Sequence, residues 1–158
     1  MSVPEGWSLM DYAARIGSDQ PDYMSHVGPV YWRAQEDTPR LGFEVMPHMC
    51  NPMGICHGGM MMTVLDTGLA VVLHAALKES RFTPSISFNF DFLAPGKVGD
   101  WLETSGECIR HTARTGFVSG MLTGPDGPVM RASGIFKITD TAIPGGFIAK
   151  YASFSRPR

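Results

Sequence analysis

The chain has 158 residues, 44% of them hydrophobic and 18% charged, with a formal net charge of -2 at pH 7. That is enough apolar material for one ordinary core, and it excludes a disordered chain. The charge excludes a globally basic binder of nucleic acid or anionic membrane, and three unevenly spaced cysteines point to reduced thiols in a cytoplasmic protein, not a disulfide scaffold.

The N-terminus, Met1 to Trp7, has neither the basic start nor the apolar run of a secretory leader, so export is not expected. Residues 7–16 place Trp7, Leu9, Met10, Tyr12, Ala13 and Ile16 at a loose helical spacing closed by Gly17, which predicts a short peripheral helix. Residues 18–27 are polar and irregular. Strands are predicted at 29–35 and 40–46, with Glu36-Asp37-Thr38-Pro39 as the turn between them.

A turn-forming loop containing Asn51, Pro52 and Gly54 then leads into His57-Gly58-Gly59 and an apolar run that continues to Leu77. This reads as a loop feeding a buried helix. Its apolar residues fall on every side, the pattern of a helix wrapped by other structure or sunk in lipid. At roughly 30 Å the run would span a bilayer. Asp66 and His74 lie inside it, however, and the flanking strands need a core, so the membrane reading is set aside.

Beyond the helix, Lys78 and Arg81 complement its C-terminal dipole. Residues 85–92 alternate polar and apolar, which predicts a strand with one face packed and one wet, ended by Pro95-Gly96. Extended stretches follow at 101–111, 116–123 and 129–138, with Pro125-Asp126-Gly127 as a hairpin turn. Residues 139–158 carry two glycines and two prolines and read as a loosely held tail. The order of strand, strand, helix and four strands that can pair as an antiparallel meander predicts an α+β domain in which a curved antiparallel sheet wraps the helix. One sheet leaves a side of such a helix uncovered, and a second copy of the chain would cover it.

The loop-to-helix junction is where chemistry is expected. Backbone N–H groups at a helix start are unpaired, and Gly58 and Gly59 let a substrate approach them closely, which suits a carbonyl that develops negative charge. Asn51 could add a side-chain amide to the same point, and His57 could donate a hydrogen bond or simply fix the loop. Asp66 is the candidate base or nucleophile, because an ionised carboxylate in apolar surroundings is costly unless it is used. Eight residues of helix separate it from Gly58 by roughly 12 Å, too far for both to touch one carbonyl. Two helices antiparallel across a twofold axis would bring the Asp66 of one to the Gly58 of the other.

The string Asn51, Gly54, His57-Gly58-Gly59 and Asp66, followed by the strand from Ser85 to Pro95, resembles the hotdog-fold acyl-CoA thioesterases, in particular the phenylacetate-pathway (PaaI-like) type. The likeness covers residues 28–138 and leaves 1–27 as an N-terminal extension with a short helix and 139–158 as a C-terminal tail. The resemblance implies a hotdog fold, with a curved antiparallel sheet of about six strands round one central helix. It also implies a homodimer, with dimers paired into tetramers, and a site between subunits. In such enzymes the amide matching Gly58 and the asparagine matching Asn51 polarise the thioester carbonyl. The acid matching Asp66 activates water or attacks directly, and the serine matching Ser85 helps to hold the water. The implied CoA contacts are Gly59, Phe92, Leu93, Ala94, Pro95, Lys97, Arg110, Arg114 and Thr115. No metal or redox cofactor is needed, CoA being part of the substrate.

Blander readings stand beside these. His57 as a loop-fixing group, Asp66 as a buried acid satisfied by Thr63 or Thr67, Asn51 as a loop cap and Ser85 as an outward strand serine are all compatible with the sequence. Met60, Met61 and Met62 read as packing. His48, Cys50, Cys56 and His57 are metal-capable types but match none of the usual paired zinc spacings. The absence of a Gly-x-Ser-x-Gly elbow argues against a serine hydrolase. The alternatives to a thioesterase are a hotdog hydratase or dehydratase acting on acyl-CoA or acyl-carrier-protein, and a non-catalytic acyl-CoA sensor.

Overall fold

The computed structural model describes residues 3–11, 19–35 and 38–143. In chain order they form β1 (Ser8–Leu9), α1 (Tyr23–Val27), β2 (Tyr31–Gln35), β3 (Thr38–Glu44), α2 (Gly58–Leu77), β4 (Ser85–Phe92), β5 (Trp101–His111), β6 (Thr115–Gly124) and β7 (Gly127–Lys137), with a single 3₁₀ turn at Pro47–Met49. The strands make one antiparallel sheet in the order β1-β2-β3-β5-β6-β7-β4. The sheet curves round α2, so the fold is the expected hotdog with seven strands in place of six.

The extra strand comes from the segment whose periodicity predicts a helix. Ser8 and Leu9 pair with Trp32 and Tyr31 on the edge of β2. Trp7 lies edge-on to Trp101, with ring centroids 5.0 Å apart, under the guanidinium of Arg33. Gly42 of β3 makes room for the two indoles, since a Cβ there would lie 2.6 Å from Trp101 and 2.9 Å from Trp7. Indole packing therefore overrides a weak local helical preference; the rest of the predicted helix, residues 12–16, lies outside the described residues, as do Glu36 and Asp37 of the predicted turn. The polar stretch before β2 holds the short helix α1. Asp22 caps it, accepting from the Ser25 amide and hydroxyl at 2.8 Å each.

One face of α2 seals the core. Val64, Leu65, Leu69 and Leu73 pack against Leu41 and Phe43 of β3, Leu102 of β5, Leu122 of β6 and Met130 and Phe136 of β7, all fully buried. Each such side chain contributes about 1.5–3 kcal/mol on burial. Glycines set the helix close to the sheet: Gly106 and Gly120 face each other across β5 and β6, and a Cβ on either would lie within 2.6 Å of Leu69. The sheet opens between β3 and β5, where three residue pairs join the strands, and the Thr104 hydroxyl accepts from the Leu41 amide at 2.9 Å. The opposite face of α2, from Gly59 through Met62, Thr63, Asp66, Thr67 and Ala70, is half-buried. Although α2 is long and apolar enough to cross a membrane, it serves here as the core helix of a sheet.

The alternation in 85–92 is also interrupted. β4 is an edge strand with a register shift between Ser85 and Ser87, which leaves Ile86 60% exposed and turns Phe88 and Phe90 inward. The first residues of the predicted tail are tied down, since Phe82 donates to the Thr141 carbonyl and Ile143 to that of Ser80. Residues 144–158 lie outside the described residues.

Candidate active site

The loop before α2 is closed by its own backbone. Cys50 and Cys56 face each other in an antiparallel bridge, the Asn51 amide donates to the Ile55 carbonyl at 2.9 Å, and the His57 amide donates to that of Met49 at 2.8 Å. Gly54 makes the turn at φ +77°, a left-handed conformation that favours glycine. The Asn51 side-chain oxygen accepts from the Met53 amide at 2.9 Å, leaving its NH2 group unbonded among the described residues. His57 is the helix N-cap: its Nδ1 accepts from the Gly59 amide at 2.9 Å. That bond is the loop-fixing contact read as one alternative from the sequence, and it consumes the Gly59 amide. The Gly58 amide, in the first turn of α2, has no partner among the described residues, and the Phe92 ring packs where a side chain on Gly58 would stand.

Asp66 lies two turns further along, on the half-buried face. Ser85 of β4 donates its hydroxyl to the carboxylate at 2.7 Å. Thr63 and Thr67, the alternative partners read from the sequence, instead donate to the helix carbonyls of Gly59 and Thr63 at 2.9 Å. Burial pushes the Asp66 carboxyl above its ordinary value, and the Ser85 hydrogen bond acts in the opposite direction. The pair lines a groove of about 390 Å³ whose other walls include Gly59, Met62, Phe88 and Phe90. Such a carboxylate can take a proton from water at the mouth of an apolar groove.

The expected site residues fall into three places. Asp66, Ser85 and Gly59 meet in the groove. Gly58, Asn51 and His57 stand at the helix start beside the segment from Phe92 to Lys97, where Cys56 donates to the Gly96 carbonyl and Ile55 bridges to Lys97. Leu93 and Ala94 donate to the Val129 carbonyl, Pro95 lies between them and Gly96, and the Lys97 ammonium is 3.8 Å from Asp126. Arg110 is on β5, Arg114 is in the β5–β6 turn and Thr115 begins β6; the amides of Arg114 and Thr115 donate to the Thr112 hydroxyl. That turn lies at the other end of α2, since Gly116 packs on Leu73. Fifteen helical residues, roughly 22 Å, separate Gly58 from Leu73. One chain does not bring the three groups together.

The groove walls Phe88 and Phe90 and a second cavity around His74 were not singled out from the sequence. The signal for His74 was present: it is the second titratable group inside the apolar run. Among the described residues no group of three or more His, Cys, Asp or Glu could hold a metal. His48 is engaged with the Gly28 carbonyl at 2.9 Å.

Comparison with known proteins follows the same outline. Residues 53–130 match the model of the thioesterase superfamily. A Pseudomonas aeruginosa protein whose name reads "Putative esterase" is 26% identical over 141 residues, covering 87% of this chain and 98% of its own. Among solved structures, the Escherichia coli PaaI protein of the phenylacetic acid degradation operon superposes with a TM-score of 0.69 at 20% identity, covering 77% of this chain and 88% of that one. Zebrafish thioesterase superfamily member 2 gives 0.69 at 16% identity, covering 81% and 93%. A Streptococcus pneumoniae hypothetical thioesterase solved with coenzyme A gives 0.63 at 21% identity, covering 72% and 88%. Residues 53–130 of this chain thus match the thioesterase-superfamily model, within a hotdog fold that it shares with the PaaI structure.

Proposed function

We propose that the protein is an acyl-CoA thioesterase that hydrolyses a thioester to a free acid and CoA. The observation that carries this reading is the Asp66–Ser85 pair: a carboxylate raised by burial, held by one hydroxyl, in an open apolar groove. In this reading Asp66 activates water, or attacks the carbonyl itself, while the Gly58 amide and the Asn51 NH2 group receive the developing oxyanion. The Gly58 end of one chain meets the Asp66 of a second copy. Support for that copy comes from β4, which pairs with β7 along one border and leaves the other border free, with Ile86 and Phe92 exposed beside the groove. Pairing two β4 edges would extend the sheet and close the groove. Lys97, Arg110 and Arg114 are then the candidates for the CoA phosphates. The Streptococcus mutans neighbour solved with acetyl CoA and the S. pneumoniae neighbour solved with coenzyme A support the carrier.

The test is CoA release from a panel of acyl-CoAs, followed with a thiol reagent. Wild-type turnover that falls about 10²–10⁴-fold in Asp66→Asn is expected for a general base. Unchanged turnover in that variant would reject the assignment. Tight binding without any wild-type turnover would make the protein an acyl-CoA sensor.

A further inference from the structure

A second cavity, of about 210 Å³, lies along the same helix and plays no part in the site described above. Its helical wall is Thr67, Ala70, Val71 and His74, while the groove takes Gly59, Met62, Thr63 and Asp66 from α2. Steps of three and four residues connect the two sets, so they form one continuous stripe of α2. The groove and the cavity therefore lie end to end along one stripe of α2, though no side chain lines both. Met10 and Met24 from the N-terminal segments, and Phe82 and Ile143 from the two extended segments joined by the Arg81–Ala142 bridge, cover the far stretch. All four covering side chains are apolar.

Thr67, Ser80 and Thr83 add hydroxyls to the lining, and His74 is the one titratable side chain among the described residues that form it. His74 is 6% exposed, its Nε2 is 3.0 Å from the Thr83 hydroxyl, and its Nδ1 is buried with no hydrogen bond of ordinary geometry; burial lowers its pKa, and the backbone of Arg81 beside the ring acts in the opposite direction. An unsatisfied buried nitrogen is costly, and one beside a cavity gains by meeting a ligand atom. The tautomer follows the direction of the Thr83 bond. If Nε2 donates, Nδ1 accepts; if the Thr83 hydroxyl donates, Nδ1 carries the proton. A hydroxyl can answer either state.

We infer that this cavity receives the far end of the acyl group and that His74 selects acyl chains carrying a hydroxyl there. The inference rests on the thioesterase reading and names its substrate class. Eight residues of helix from Asp66 to His74 span roughly 12 Å. An extended chain advances about 1.25 Å per bond, given C–C bonds of about 1.5 Å, so an acyl group of about eight to ten carbons reaches His74.

The experiment compares octanoyl-CoA with 8-hydroxyoctanoyl-CoA. Wild type is expected to favour the hydroxylated ester about tenfold in kcat/KM, the worth of one hydrogen bond made away from water. In His74→Phe, shown to be folded by its melting transition, that ratio falls to about one or reverses, a change that loss of packing alone would not produce. Ala70→Leu narrows the cavity while keeping the imidazole, and it is expected to shift preference toward four-carbon over eight-carbon esters. A wild-type ratio near one, or a ratio unmoved in folded His74→Phe, overturns the inference while leaving hydrolysis intact. If no ester is hydrolysed at all, the thioesterase reading fails instead. Calorimetric titration of wild-type protein with the two esters then decides the cavity: equal affinities overturn the inference, and tighter binding of the hydroxylated ester that His74→Phe abolishes supports it.

Discussion

Asp66 is held between two opposing influences, and their signs can be tested separately. Burial disfavours the charged carboxylate, while the Ser85 hydroxyl favours it. Ser85→Ala removes the favourable partner, so the Asp66 pKa rises further. The ascending limb of the pH–rate profile is expected to move to higher pH, with about tenfold less turnover on that limb at a fixed pH. Stability changes the other way in Asp66→Asn. Because the folded-state pKa lies above the unfolded one, ionisation costs the fold nothing below the ordinary carboxylate value, and the cost accumulates as pH rises through the folded pKa. The amide variant avoids that cost, so its melting temperature at pH 7 is expected to exceed that of wild type while turnover is lost. Cysteine chemistry gives an independent check on burial: the Cys56 thiol is pushed up to about 12, first by desolvation and then by Cys50 beside it. Iodoacetamide at pH 8 is expected to alkylate Cys50 well before Cys56, as read by peptide mass after short exposures. At this scale the sequence named both members of the Asp66–Ser85 pair. It did not show their bond, because 19 residues separate them and they sit on different elements.

Among the elements, α2 and β4 carry the argument. An unbroken apolar run with Asp66 inside made α2 legible, and the structure keeps it from Gly58 to Leu77. Its seat against the sheet was less legible, since the glycines that admit it lie in β5 and β6. Gly120→Ala would place a Cβ 2.6 Å from Leu69 and against the Ser105 carbonyl, so about 1–3 kcal/mol of stability should be lost in urea denaturation. Gly58→Ala meets the Phe92 ring at 2.9 Å and displaces it from the helix start. Under the proposed mechanism this raises KM for acyl-CoA while leaving the melting temperature close to wild type, because Phe92 is 53% exposed. β1 is the element that sequence periodicity misassigned. Its residues suit a weak amphipathic helix locally, and only the Gly42 recess and Trp101 show why the indole of Trp7 settles against the sheet instead. The α1 cap at Asp22 was in principle readable, but five residues give too little periodicity to mark a helix.

At the scale of the whole molecule, the groups proposed to act on one thioester are spread over both ends of α2 and need a second copy. The free border of β4 is where that copy is proposed to dock. Ile86→Lys puts a charge on that border, and sedimentation should show the assembly shifting toward monomer, with thioester turnover falling at least tenfold in parallel. A variant that stays associated and active would place the interface elsewhere. From the sequence alone came the helix, the four extended segments after it, the loop that presents Asn51 and Gly58, and an acid inside the apolar run, because each is written in local periodicity, turn chemistry and the cost of an apolar carboxylate. The expected meander of four strands does not form, since β4 pairs with β7 and not with its chain neighbour β5. Tertiary structure alone decided which hydroxyl holds Asp66, that the His57 Nδ1 caps Gly59, that Trp7 belongs to the sheet, and that a cavity lined by His74 lies along the same helix as the groove. Those facts depend on contacts between residues far apart in the chain, and no window of neighbouring residues contains them.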